Sequence, residues 1–117
     1  MAATFDSPVP LVVLRATVTN TNPGAFTEFT TTRGLRVVDV VGNKGLAAGG
    51  IGDTLLVGSG ANAITDVMVL NVAANVSFRA ASINTAFSSV ASGGAVRVTV
   101  AFNTDNGSWA NIYCVPA

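Results

Sequence analysis

The chain has no histidine and a single cysteine, Cys114. These two absences remove the His/Cys sets that hold zinc, copper, haem or iron–sulfur clusters, and the imidazole on which Ser-His-Asp and Cys-His nucleophile systems depend. One thiol makes no disulfide within the chain. Charge is equally scarce, with six basic and six acidic residues among 117 and a net charge of zero. A domain of this mass exposes roughly 6,000 Å², which leaves one ionisable group per ~500 Å². Soluble domains carry about 25% charged residues; here the figure is 10%. Lys44 is the only lysine, so the chain lacks the basic footprint that a nucleic-acid backbone requires. No apolar run approaches the roughly 20 residues that span a bilayer. The opening Met-Ala-Ala-Thr-Phe-Asp lacks the basic region and apolar stretch of a secretory signal. The expectation is a protein made in a cytoplasm, with no cofactor, no metal, no nucleic-acid partner and no membrane. Near-zero net charge and sparse repulsion leave a surface poorly defended against association, so the chain is expected to work in an assembly.

What is present points to strands. Valine (18) and threonine (13) abound, while glutamate occurs once and glutamine not at all; β-branched residues favour pleated structure over helix. Period-two alternation marks Val12 to Val18, Leu35 to Val41, Asp53 to Val57, Ala63 to Leu70, Val76 to Ser82, Val96 to Phe102 and Trp109 to Val115, with a weaker segment at Phe26 to Thr31. Seven or eight short antiparallel strands at this spacing predict an all-β, single-domain sandwich, jelly-roll-like, over residues 11–117. Residues 1–10, with Pro8 and Pro10, read as an extended N-terminal arm, because proline removes ladder donors. Asn106-Gly107 predicts a tight hairpin between the last two strands. Ile83, Ala86, Phe87 and Val90 have helical spacing, which predicts one short helical turn or an irregular crossover.

Chemical motifs are weak. Gly58-Ser59-Gly60-Ala61-Asn62-Ala63 matches G-x-G-x-x-A, but a strand-like run follows where a nucleotide site needs a helix N-terminus; a glycine turn is the expectation. Asn103 to Gly107 resembles the start of a calcium loop, yet the twelfth position, which should be a bidentate glutamate, is Cys114. Cys114 alternates with Ile112 and is expected to pack as a small apolar residue. Asn75-Val76-Ser77 and Asn106-Gly107-Ser108 match the glycosylation sequon by chance. No pair of carboxylates stands out as an acid–base couple, and the chain reads as a non-enzyme.

The strand faces carry the main clue. Val96, Val98, Val100 and Phe102 are expected inside, leaving Arg97 outside among Ala95, Thr99 and Ala101. Arg15 shares its outer face with Leu11, Val13 and Thr17, and Arg79 with Ala81 and Ile83. Interfaces are depleted of lysine and glutamate but retain arginine, whose planar donors suit pairing with carboxylates. Arg15, Arg36, Arg79 and Arg97, with Asp39 and Asp66 as strand-borne carboxylate partners, are therefore the candidate interface residues.

The stretches Arg36-Val37-Val38-Asp39-Val40, Gly52-Asp53-Thr54-Leu55, Asn62-Ala63-Ile64-Thr65-Asp66, Arg79-Ala80-Ala81-Ser82-Ile83 and Ala91-Ser92-Gly93-Gly94-Ala95-Val96-Arg97-Val98 resemble the small capsid decoration, or cement, proteins of tailed bacteriophages. The resemblance runs over about 80 residues from Leu35 onward and leaves out the arm. It implies a β-sandwich, a homotrimer seated on the outside of the virion head, the major capsid protein as partner, and no active site. A different class of reading is a receptor- or glycan-binding module of a phage head or tail fibre, with Trp109 and Tyr113 flanking Asn111 on one face of the last strand.

Overall fold

The computed structural model describes residues 11–17, 26–44, 53–70, 76–101 and 108–117. Strands are the regular elements of these residues: β1 (Val12–Thr17), β2 (Phe26–Thr30), β3 (Leu35–Asn43), β4 (Thr54–Ser59), β5 (Asn62–Ala63), β6 (Met68–Val69), β7 (Ser77–Arg79), β8 (Ser89–Val90), β9 (Ala95–Ala101) and β10 (Trp109–Pro116). They form two sheets. Sheet I runs β1-β10-β3, and the far edge of β3 is shared by β8 at Leu35 and Arg36 and β7 at Val41 to Asn43. Sheet II runs β2-β9-β4, and the far edge of β4 is shared by β6 at Thr54 and Leu55 and β5 at Gly58 and Ser59. The fold is thus the predicted all-β sandwich, with eight strand positions of which two are each divided into short halves.

All pairings between these strands are antiparallel: the nested pairs β1 with β10, β2 with β9, β3 with β7 and β8, and β4 with β5 and β6, joined within the sheets by β3 with β10 and β4 with β9. This is the pattern of one long hairpin rolled so that successive strand pairs alternate between sheets, the strand order of a jelly roll. Its tip is the β4–β5 turn, where Gly60 adopts a φ of 57°, a conformation that glycine takes without the Cβ penalty. The G-x-G-x-x-A motif is therefore a glycine turn. The rolled order also corrects the hairpin expected at Asn106-Gly107: β9 belongs to sheet II and β10 to sheet I, so this connection crosses between sheets. Alternation on either side of a turn identifies two strands but does not require that they pair. The calcium-like stretch and the N-terminal arm lie outside the described residues.

Alternation explains the core. Val96, Val98 and Val100 of β9 and Leu55 and Val57 of β4 meet Ala16, Val37, Val40, Ala110, Ile112 and Cys114 across the sandwich. Cys114 is fully buried, and desolvation pushes its thiol up to about 11. Two charged residues are also fully buried, Lys44 just after β3 and Asp53 just before β4. Each is engaged in a polar interaction, as buried charge requires. The Ser108 hydroxyl donates to the Lys44 carbonyl.

One segment departs from expectation, and another takes the second of the two forms expected of it. Ala63 to Leu70 is interrupted rather than one strand, because polar side chains take over backbone donors that a ladder would use: Thr65 Oγ1 accepts the Val57 N–H (3.1 Å), and Asp66 Oδ1 accepts from Ala81 and Ser82 (2.8 and 3.1 Å). The helical spacing over Ile83 to Val90 marks an irregular crossover without a helix. Ile83 bridges to Thr65, the Asn84 side chain accepts the Ala86 N–H, and Val90 pairs with Leu35 as part of β8.

Candidate functional site

The two outer faces of the sandwich hold the residues singled out from the sequence. On sheet I the rows across the strands read Thr17, Trp109, Asn43, Ser77; then Arg15, Asn111, Val41, Arg79; then Val13, Tyr113, Asp39. Trp109, Asn111 and Tyr113 face outward from β10 and are half-buried, while their strand neighbours Ala110, Ile112 and Cys114 are fully buried. A β-bulge in β3 shapes this face. The register shifts between Tyr113 and Cys114, so Val38 and Asp39 both turn outward and the buried set passes from Leu35 and Val37 to Val40 and Gly42. Bulges of this kind re-aim a side chain. Here the re-aimed carboxylate, Asp39, accepts the Val40 N–H (2.9 Å) and two hydrogen bonds from Arg79, Nε to Oδ1 at 3.1 Å and Nη2 to Oδ2 at 2.7 Å. Those hydrogen bonds, and then the carboxylate charge, hold the Arg79 guanidinium above its ordinary pKa.

Arg15 lies 4.2 Å over the Trp109 ring, a cation–π contact. Among the described residues no carboxylate pairs with it. Arg36 is exposed on the same face, in register with Val115 and Ser89. Among the described residues, three arginines against Asp39 give this face a net charge of +2.

On sheet II the rows read Phe26, Thr99, Leu56; then Glu28, Arg97, Gly58, Ala63; then Ala101, Thr54, Val69. Arg97 stands among Ala95, Thr99 and Ala101 as expected. It lies 4.2 Å over the Phe26 ring and pairs with Glu28, with Nη2 and Nε at 2.6 and 2.7 Å from Oε1. The face therefore carries one ion pair and no net charge. Its remaining large side chains are apolar, with Phe26 55% and Val69 62% exposed.

The sequence-predicted residues thus divide between two surfaces: Arg15, Arg36, Asp39 and Arg79 on sheet I, Arg97 on sheet II. Asp39 meets Arg79 within the chain. Asp66 lies between β5 and β6 rather than in a strand, and its carboxylate caps the Ala81 and Ser82 amides. Arg79 ends β7, and Ile83 lies beyond it, packed against the core instead of sharing its face. Sequence reasoning missed Glu28 and Phe26, which complete the Arg97 cluster; the signal was the lone glutamate in the weakest strand segment. No three His, Cys, Asp or Glu side chains cluster among the described residues. No protein-family model, curated protein or solved structure matches the chain.

Proposed function

We propose that this protein is a non-enzymatic structural component of a phage virion: a homotrimeric decoration, or cement, protein that binds the major capsid protein on the outside of the head and stabilises contacts between capsomers. The observation that carries this reading is the outer face of sheet II. Phe26, Leu56 and Val69 share it with small residues and a single, internally neutralised ion pair. Exposed apolar surface of this kind marks a contact site, which we assign to self-association between protomers, since removing it from water is favourable by about 25 cal/mol per Å². The motif series from Leu35 onward supports the same assignment. A trimer touching several capsid subunits at once gains avidity that one protomer lacks, so modest individual contacts suffice.

Light scattering coupled to size-exclusion chromatography tests the assembly. A trimer at micromolar concentration is expected, and a stable monomer overturns the reading. Co-sedimentation with purified empty heads tests the partner; protein that stays in the supernatant removes the capsid from the proposal.

A further inference from the structure

We infer that the outer face of sheet I is a binding surface for a carboxylate-bearing glycan, with Arg15, stacked on Trp109, as the carboxylate receptor and Tyr113 as the stacking platform. The two rings stand four residues apart on the same side of β10, about 13 Å along the strand at the usual rise. Asn111 lies between them, and Arg15 is in register with it.

Arg15 is poised for an anion. It is exposed, its guanidinium is stacked on Trp109 at 4.2 Å, and no described carboxylate neutralises it. Stacking restrains the plane of the fork, and the N–H edge of a guanidinium binds a carboxylate through two parallel hydrogen bonds. Its counterpart Arg97 has the same stack but is already paired with Glu28. A pyranose ring offers a C–H face to an aromatic ring and hydroxyls to amides and carboxylates. The surface presents both kinds of partner, with Asn111 between the rings and Asp39 in register with Tyr113, held in place by Arg79 and the Val40 N–H.

Two other occupants fit less well. An extended peptide binds most simply by adding to a strand edge; the edge strand of this sheet is β1, which carries Arg15, whereas Asn111 and Tyr113 stand on β10, an inner strand paired to β1 and β3. A nucleic acid needs a much denser array of cations than one net charge of +2. The site is on the opposite sheet from the surface assigned to self-association, so either assignment can fail without the other.

Trp109 is the only tryptophan in the chain, so its emission reads this surface directly. The full chain is titrated with tetragalacturonate and with sialyllactose, with the methyl ester of each as the neutral counterpart, and with tetraglutamate. A saturable change in emission is expected with at least one of the two acidic glycans and not with its ester. Calorimetry with that glycan is expected to show affinity reduced about tenfold or more by Arg15→Gln, the loss of one charged hydrogen-bonding partner, and reduced also by Tyr113→Leu. Arg33→Gln, at an exposed position between β2 and β3, leaves affinity unchanged. Absence of saturable binding to both acidic glycans at millimolar concentration overturns the inference, as does undiminished binding by an Arg15→Gln protein with an unaltered melting transition. Equal affinity for tetraglutamate overturns it in favour of an acidic-peptide receptor.

Discussion

Each outer face of the sandwich carries an arginine stacked 4.2 Å over an aromatic ring, Arg15 on Trp109 in sheet I and Arg97 on Phe26 in sheet II. What differs is the neutralisation of the guanidinium. Glu28 meets Arg97 across the β2–β9 pair, whereas no described carboxylate meets Arg15. One face is left neutral, the other positive, with amide and aromatic groups beside the exposed Val13 and Val38. The same local device therefore serves opposite ends: a neutralised arginine can be covered at little electrostatic cost, while an unneutralised one keeps a strong donor set for an incoming anion.

The strongest way to break this comparison is to place a charge at the same depth on each face. Leu56→Lys buries an uncompensated ammonium in the surface assigned to self-association and is expected to raise the trimer dissociation constant about a hundredfold or more. Asn111→Lys on sheet I is expected to leave the sedimenting mass unchanged. If both substitutions dissociate the trimer, or neither does, the division of labour between the faces is wrong.

Arg97→Glu has a smaller expected effect because it also costs the protomer a local contact, setting two carboxylates side by side at the Glu28 position. Assembly should weaken more than the melting midpoint of the protomer falls, as read by sedimentation and thermal unfolding on the same samples. Equal losses would make the Arg97–Glu28 pair a structural bond with no part in assembly.

Smallest is the difference between the two ion pairs themselves. Glu28→Gln is expected to cost up to about 1 kcal/mol, because both partners in sheet II are largely shielded, at 29% and 34% exposure. Asp39→Asn should cost less, since Arg79 is 69% exposed and screened by solvent. Urea unfolding at low and high salt checks the order; a larger cost for Asp39→Asn reverses this ranking of the faces.

Much of this architecture was legible in the chain because burial on one face of a sheet imposes alternation. Val96-Arg97-Val98-Thr99-Val100 and Trp109 to Cys114 announced both their strands and their inner sides. Pairing was less legible. Nothing in Asn106-Gly107 distinguishes a hairpin from a link between sheets, since positive φ is useful in either. The bulge was hard to read for a related reason: Val37, Val38, Val40 and Val41 are apolar on both sides of β3, so its one mark is Asp39, a carboxylate at the position that strict alternation from Leu35 turns inward. The candidate site was half visible. Arg15 and Arg79 were recognisable as outward residues and Trp109 and Tyr113 as sharing one face of the last strand, but whether those rings turn outward, and the contrast between faces, depend on the fold, with Glu28 reaching Arg97 across 69 residues of chain. Only the fold brings that pair together.

The nested strand order also governs when the molecule can form. Its one tight local pairing is the β4–β5 tip, and every later pair joins segments progressively farther apart, until β10 enters sheet I between β1 and β3. Contacts of such high sequence separation make for slow folding. During synthesis β1 and β3 emerge long before the strand that joins them, so sheet I cannot close until β10 has left the ribosome. The aromatic surface carried by β10 is therefore made after the outer face of sheet II, whose strands β2, β4 and β9 all precede it.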